Sequence, residues 1–225
     1  MNPVLNRIPE FDERSRNFPI RTLLATAPRQ NRSYTWRCLD TLDQKSEGAC
    51  VGFAWTHELA ARPAEVTGLS AITARAIYKD AQTKDPWEGT DYSGTSVLAG
   101  VKATKALHPD KIDSYKWAFG LADVLQTLSW HGPVVLGINW YEGQFVPVNG
   151  VISPTGQLAG GHAILANGID LKRKLVRLHN SWGRSWGLNG ACFISFSDLD
   201  RLLHEQGEAC VAVGRTPEKR RKVSL

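Results

Sequence analysis

The strongest constraint on the fold is a change of hydrophobic period partway along the chain. Between Cys50 and Leu107 the apolar residues recur at helical spacing. From Val134 onward they come in short runs broken by turn residues, as strands do. The spacing predicts a helix from Cys50 with Phe53, Ala54, Leu59 and Ala60 on one face, ending just before Pro63. A second helix is expected from a Ser70 cap to about Gln82, with Ile72, Ala76 and Ile77 turned inward. A third is expected from Thr95 to about Leu107, capped by Thr95 or Ser96, after the turn-rich stretch from Asp85 to Gly94. Leu121 to Trp130 reads as a short helix that Gly132-Pro133 breaks. Strands are expected at Val134–Ile138, from Val151 after the Asn149-Gly150 turn, and at His162–Asn167, Leu175–His179, Ala191–Phe196 and Ala209–Val213. A short helix over Ser197–His204 interrupts them. Helices first and strands later point to an α+β protein of two lobes, a helical one over about 36–115 and a β-rich one over about 116–214.

The flanks read differently. Residues 1–35 are polar and rich in Arg and Pro, an extended arm with a few apolar anchors such as Phe11, Phe18 and Ile20. Residues 215–225 carry Lys219-Arg220-Arg221-Lys222, which supplies much of the net charge of +5 and reads as a solvated tail. Nucleic acid is not expected as a partner on that evidence. No apolar run approaches the 18 or so residues a membrane span needs. The first residues lack the apolar core of a secretion signal, so a cytoplasmic protein is expected. A 42% hydrophobic content with eight Trp can build a sizeable core within 225 residues. The four cysteines, Cys38, Cys50, Cys192 and Cys210, are expected as reduced thiols, with Cys192 and Cys210 in strands that could be neighbours. Histidines and cysteines show no metal-ligand spacing, and no cofactor is expected.

Chemistry concentrates at three places. Cys50 sits where a polar loop, Leu42 to Ala49, runs into an apolar helix. A helix N-terminus carries unpaired N–H groups and partial positive charge, which favours the thiolate. Gln44, with five residues between it and Cys50, can bring its side-chain amide over the sulfur. With the Cys50 N–H it would make two donors for one developing oxyanion. His162 follows Gly160-Gly161 and opens an apolar strand, and Asn180 opens the run Asn180-Ser181-Trp182-Gly183. A Cys, a His and an Asn distant in sequence can meet as nucleophile, general base and orienting amide. His179 lies next to Asn180 but on the opposite face of a strand, so it is not assigned as the base.

Gln-(five)-Cys, then Gly-His-Ala before an apolar strand, then Asn-Ser-Trp-Gly-x-x-Trp-Gly, together resemble the papain family of cysteine peptidases, over about Leu42 to Gly214. The order and roles of Cys, His and Asn are those of that family's variant triad. The match has departures. Glu47 stands where secreted members have a disulfide-forming cysteine, and Val51 replaces the bulky aromatic after the nucleophile. The Cys50-to-His162 spacing is shorter than the usual range of about 130–150 residues. No long charged pro-segment precedes Cys50.

The resemblance implies a papain-like two-lobed fold with the site in the cleft between lobes. It implies peptide-bond hydrolysis without a cofactor, through Gln44, Cys50, His162 and Asn180. It makes Trp182 the indole that shields the Asn–His bond from water. It places Ser93-Gly94 where a glycine pair bonds the backbone of an extended polypeptide substrate, and Ala163 in the main specificity pocket, with Thr95 and the Gly137-Ile138 neighbourhood as possible contributors. The compact chain is closer to bacterial and bacteriophage members than to lysosomal ones. Two other classes stay open: an idle member serving as a binding or virion component, and a cysteine enzyme of acyl transfer or peptidoglycan-peptide cleavage.

Overall fold

A computed structural model describes residues 3–214. The basic tail at 215–225 lies outside the described residues. Among the described residues, six α-helices and eight strands follow in the chain order α1 (Arg21–Leu24), β1 (Tyr34–Thr35), α2 (Cys50–Ala60), α3 (Ala71–Gln82), α4 (Val97–Leu107), β2 (Ser114–Trp117), α5 (Leu121–Trp130), β3 (Val134–Tyr141), β4 (Val151–Ile152), β5 (Leu158–Asp170), β6 (Leu175–His179), β7 (Ala191–Ser195), α6 (Phe196–His204) and β8 (Glu208–Val213). The strands form one sheet in the order β2-β8-β3-β5-β6-β7-β4, with β1 added to β5. The sheet is antiparallel apart from the β4–β7 pair.

Strand alternation sorts the side chains to two cores. On β3, Val134, Leu136, Ile138 and Trp140 join Val124 and Leu128 of α5 and Leu199 and Leu202 of α6. Val135 points the other way, with Ala163 and Leu165 of β5 and Cys210 and Ala212 of β8, toward α2 and α4. This is the period of two expected of a pleated strand. It makes the sheet a wall between a core of its own and the helical elements.

Helix α2 is buried on every side, not along one stripe. It lies between α3, α4 and the sheet, so polar Thr56, His57 and Glu58 are enclosed along with Phe53 and Leu59. Ser70 caps α3 by accepting from the Ile72 N–H, and Thr73 completes a capping box. The inward face of α3 is Ala74, Ile77 and Ala81; Ile72 is 77% exposed and Ala76 also faces water, which corrects two of the three inward positions expected from spacing. Ser96, not Thr95, caps α4. Strands β3 and β5 run longer than their apolar cores suggested, and β2 was not expected. Cys192 and Cys210 are not neighbours, because β3, β5 and β6 stand between their strands; all four cysteines are free.

The N-terminal residues are pinned along much of their length. Ile20 donates to the Trp117 carbonyl and Arg21 pairs with Asp123 at 2.6 Å. Tyr34 and Thr35 pair with β5, and the buried Trp36 indole donates to the Leu128 carbonyl. These contacts leave residues 3–10 facing the groove between α2 and β5.

Candidate active site

The loop before α2 is fixed from both sides. Gln44 N–H donates to Ser181 O, Gly183 N–H to Leu42 O, and Leu42 N–H to the His57 ring at 3.0 Å. His57 packs edge-on against His179, whose Nε2 contacts the Asp40 carbonyl. His179 is therefore occupied with the loop. Glu47 accepts from Arg75 Nε of α3 at 2.8 and 2.9 Å through its two oxygens, tying down the loop. Cys50 then falls at the first position of α2.

His162 Nε2 lies 2.8 Å from Asn180 Oδ1. That oxygen also accepts from the Ser181 N–H, so Nε2 must donate to it. The neutral ring is thus left with Nδ1 as its free acceptor, and Nδ1 is buried without a protein partner. The ring sits between two indoles, with Trp182 at 4.9 Å and Trp140 at 4.8 Å between centroids. Phe145 stacks on Trp182. Trp182 is 6% exposed, and this aromatic wall keeps water from the His162–Asn180 bond. Trp140 and Phe145 were missed by the sequence reading; neither lies in a motif, and only the sheet and its following turn bring them to the ring.

The Cys50 thiol faces the backbone N–H groups of Ala163, Val51 and Cys50 itself. Ala163 follows His162 in β5, so the thiol lies against the strand that carries the imidazole. Burial pushes the thiol up to about 11, against those N–H groups and the charge of Arg7. Burial pushes His162 down to about 4, with the Asn180 contact opposing. In this state the pair is neutral thiol and neutral imidazole.

The chain's own N-terminus lies over this part of the groove. The Gln44 amide donates to the Val4 carbonyl at 3.0 Å and to the Glu47 carbonyl at 2.7 Å. Its Oε1 accepts from Ser181 Oγ, which fixes the amide's orientation. The N–H groups of Asn6 and Arg7 both donate to Gly161 O, and Ile8 N–H donates to Thr95 O. Arg7 pairs with Thr95 as a parallel bridge. Asn6 Nδ2 donates to Ser93 Oγ at 2.6 Å. Gly94, at φ +105°, lies so close that a Cβ there would be 2.2 Å from the Asn6 carbonyl oxygen. Glu10 accepts from Ser96 Oγ at the start of α4. Residues 4–8 therefore lie along Gln44 and Thr95 and along Ser93-Gly94, where the family resemblance puts the backbone of an extended substrate. The arm thus lies along the groove between α2 and β5 that holds Cys50.

No family model matches the chain, and no curated protein sequence matches it. The fold is the papain-like one: the solved structures it resembles are cysteine proteases of that kind. Xylellain, a cysteine protease from Xylella fastidiosa, superposes with a TM-score of 0.68 at 18% identity, covering 94% of this chain and 96% of xylellain. Digestive procathepsin L 3 of Tenebrio molitor larval midgut gives 0.60 at 16% identity, over 92% of this chain and 73% of that one. The bromelain protease from Ananas comosus, in complex with the E64 inhibitor, gives 0.56 at 18% identity, over 81% and 99%.

Proposed function

We propose that the protein is a cysteine peptidase, held covered by its own N-terminal arm. The observation that supports this is the His162–Asn180 pair with Nδ1 left free, together with a helix-terminal Cys50 whose thiol faces the N–H of Ala163, the next residue along β5. Once the cleft opens, water and substrate replace the arm and the burial that opposes ionisation is relieved. His162 then takes the thiol proton, and the thiolate attacks the peptide carbonyl. Gln44 Nε2 and the Cys50 N–H receive the developing oxyanion; that Gln44 Nε2 already donates to a carbonyl, that of Val4, supports this reading. His162, as imidazolium, protonates the leaving amine, and a thioester forms on Cys50. As neutral imidazole it then takes a proton from water, which attacks the thioester and releases the acid. Asn180 keeps the ring turned for both steps.

The polarity of the arm supports a blocking role. A substrate that acylates Cys50 keeps the residues before its reactive carbonyl in the acyl side of the cleft. Here the residues after the Val4 carbonyl, Asn6 to Ile8, lie along Gly161 and Thr95. The arm fills the cleft with its backbone reversed.

The reading of an idle binding protein rests on the same covered thiol, and one experiment separates the two. The full chain and its Arg7→Ala variant, which weakens the arm, are treated with a peptidyl epoxide and mapped by mass spectrometry. Labelling at Cys50 in the variant, together with casein hydrolysis that Cys50→Ala abolishes, is expected. A folded Arg7→Ala protein whose Cys50 is alkylated by iodoacetamide faster than in the full chain, yet which neither takes the epoxide nor hydrolyses casein, would leave the idle reading.

A further inference from the structure

A second groove lies outside the cleft, on the face of β6 that carries Arg177 and His179. These two residues are two positions apart in a strand, so they share that face. One wall is the segment from Thr35 to Thr41, and the other is the turn that holds Arg184, Leu188 and Asn189. The half-open space measures about 450 Å³. That falls within the range of small-ligand sites, roughly 300–1,000 Å³. Arg37, Arg177 and Arg184 all line it, and no Asp or Glu among the described residues does.

Arg37 and Arg184 are exposed, whereas Arg177 is part-buried. Arg177 Nη1 donates to Asn167 Oδ1 at 2.8 Å. Asn167 is buried and fixed in turn, since its Nδ2 donates to the Trp36 carbonyl at 2.9 Å. A neutral amide thus positions the guanidinium without cancelling its charge. Burial pushes Arg177 down from its ordinary value, opposed by the thiols of Cys38 and Cys192. Among the described residues no carboxylate forms an ion pair with Arg37, Arg177 or Arg184. A part-buried cation without a counter-ion is costly. His179 is an independent sign of a missing ligand. It lines the same groove and is 4% exposed. Its Nε2 lies 2.8 Å from the Asp40 carbonyl, which only accepts, so Nε2 carries the proton of the neutral ring. Nδ1 is then a lone-pair acceptor, and it is buried without a partner.

We infer that this groove is a binding site for an oxyanion, a carboxylate or a phosphate, taken between Arg177 and Arg184 with Arg37 and His179 beside them. The site goes beyond the peptidase reading and stands without it. A guanidinium is a planar fork of N–H donors that meets either oxyanion through paired, charge-assisted bonds. Leu39 and the half-exposed Leu188 supply apolar lining for the body of such a ligand. The His179 ring is faced by Arg177 of its own strand, Arg184 of the turn, His57 of α2 and the Asp40 backbone of the loop. Burial pushes the ring down to about 4, the Asp40 contact opposes, and the charges of Arg177 and Arg184 push it further down. A bound oxyanion offsets those two charges. Nδ1 then takes a proton from solvent and donates it in a hydrogen bond to the anion.

The test is calorimetry at low ionic strength on the full chain carrying Cys50→Ala, which keeps a peptide probe intact. The probes are inorganic phosphate, a capped Glu-Leu-Glu peptide and its Gln-Leu-Gln counterpart. Phosphate or the Glu peptide should bind at one site, and the Gln peptide should not. Which of the two binds names the source, a free anion or an acidic polypeptide, and competition between them assigns both to one site. Arg177→Gln and Arg184→Gln should each weaken binding by at least about 10-fold, while Arg16→Gln on the arm leaves it unchanged. Arg184 sits on an exposed turn, so its variant decides the matter even where Arg177→Gln fails to fold. By NMR, the His179 ring titration should rise by at least about one pH unit in saturating sulfate, an oxyanion that does not itself titrate in that range. Absent binding of both anions, equal weakening by Arg16→Gln, or a His179 titration unmoved by saturating sulfate would each overturn the inference and leave the peptidase reading intact.

Discussion

At Cys50, His162, Asn180 and Gln44 the expected losses are unequal because their parts in the proposed chemistry are unequal. With Arg7→Ala as the background, Cys50→Ser should abolish casein hydrolysis, since a hydroxyl is hardly ionised beside an imidazole at neutral pH. His162→Ala should be nearly as severe. Gln44→Ala removes one oxyanion donor, a loss of roughly 10²–10³ in turnover, and it also frees Ser181 Oγ. Asn180→Ala should cost less than Cys50→Ser, because the ring remains but is turned less well. His179→Ala should spare the chemistry and lower the denaturation midpoint, because His179 serves the Asp40 carbonyl and His57. Steady-state rates on folded variants, checked by circular dichroism, test this order. A His179→Ala protein as inactive as His162→Ala would reverse the two assignments.

Among the elements, the arm and the helix caps make the sharpest predictions. Iodoacetamide should alkylate Cys50 slowly in the full chain at pH 7, because the thiol sits near 11 while covered, and the rate should climb only as pH rises toward that value. Arg7→Ala should raise the rate at pH 7 by at least about 10-fold by loosening the arm, as read by mass spectrometry of the Cys50 peptide. An unchanged rate in the folded variant would mean the arm is held by its backbone contacts to Gly161 and Thr95 alone. At α3, Ser70→Ala removes a cap and should cost about 1 kcal/mol in urea unfolding. The capping serines and the turn at Asn149-Gly150 were legible in sequence because such signals act over a few residues. The inward face of α3 was not: Ile72 and Ala76 fit a helical stripe, but the helix is rotated by its packing on α2, where Gly52 admits the Ala74 carbonyl.

For the whole molecule, acid is the weak side. His57, His162 and His179 are enclosed and neutral, with burial pushing His162 and His179 down to about 4 and His57 well below its ordinary value. A histidine whose folded-state pKa is depressed contributes stability that is fully present above its unfolded pKa of about 6.5 and is lost as pH falls through the folded value. For His162 the shift corresponds to about 3 kcal/mol. Thermal midpoints should therefore be level near pH 7–8 and fall steeply between about pH 6 and 4. Replacing His57 by Gln should flatten part of that fall, as followed by calorimetry across pH. A midpoint independent of pH over this range would contradict the buried neutral histidines.

The sequence by itself carried the α+β order and most element positions, and it offered Gln44, Cys50, His162 and Asn180 as a candidate site through local signals and a family resemblance. These rest on local signals: a period of 3.6 or 2, a capping serine, glycines beside a histidine, a cysteine at the join of loop and helix. Only the tertiary structure decided what the polar N-terminus does. Arg7 and Glu208 lie 201 residues apart and carry no motif; they meet because β8 pairs with β3, Gly137 leaves space between the strands, and the arm is fastened at Gly161 and Thr95. Trp140 and Phe145 around His162 follow the same logic. Pairing across a sheet is set by which strands lie side by side, and no stretch of the chain read alone contains that order.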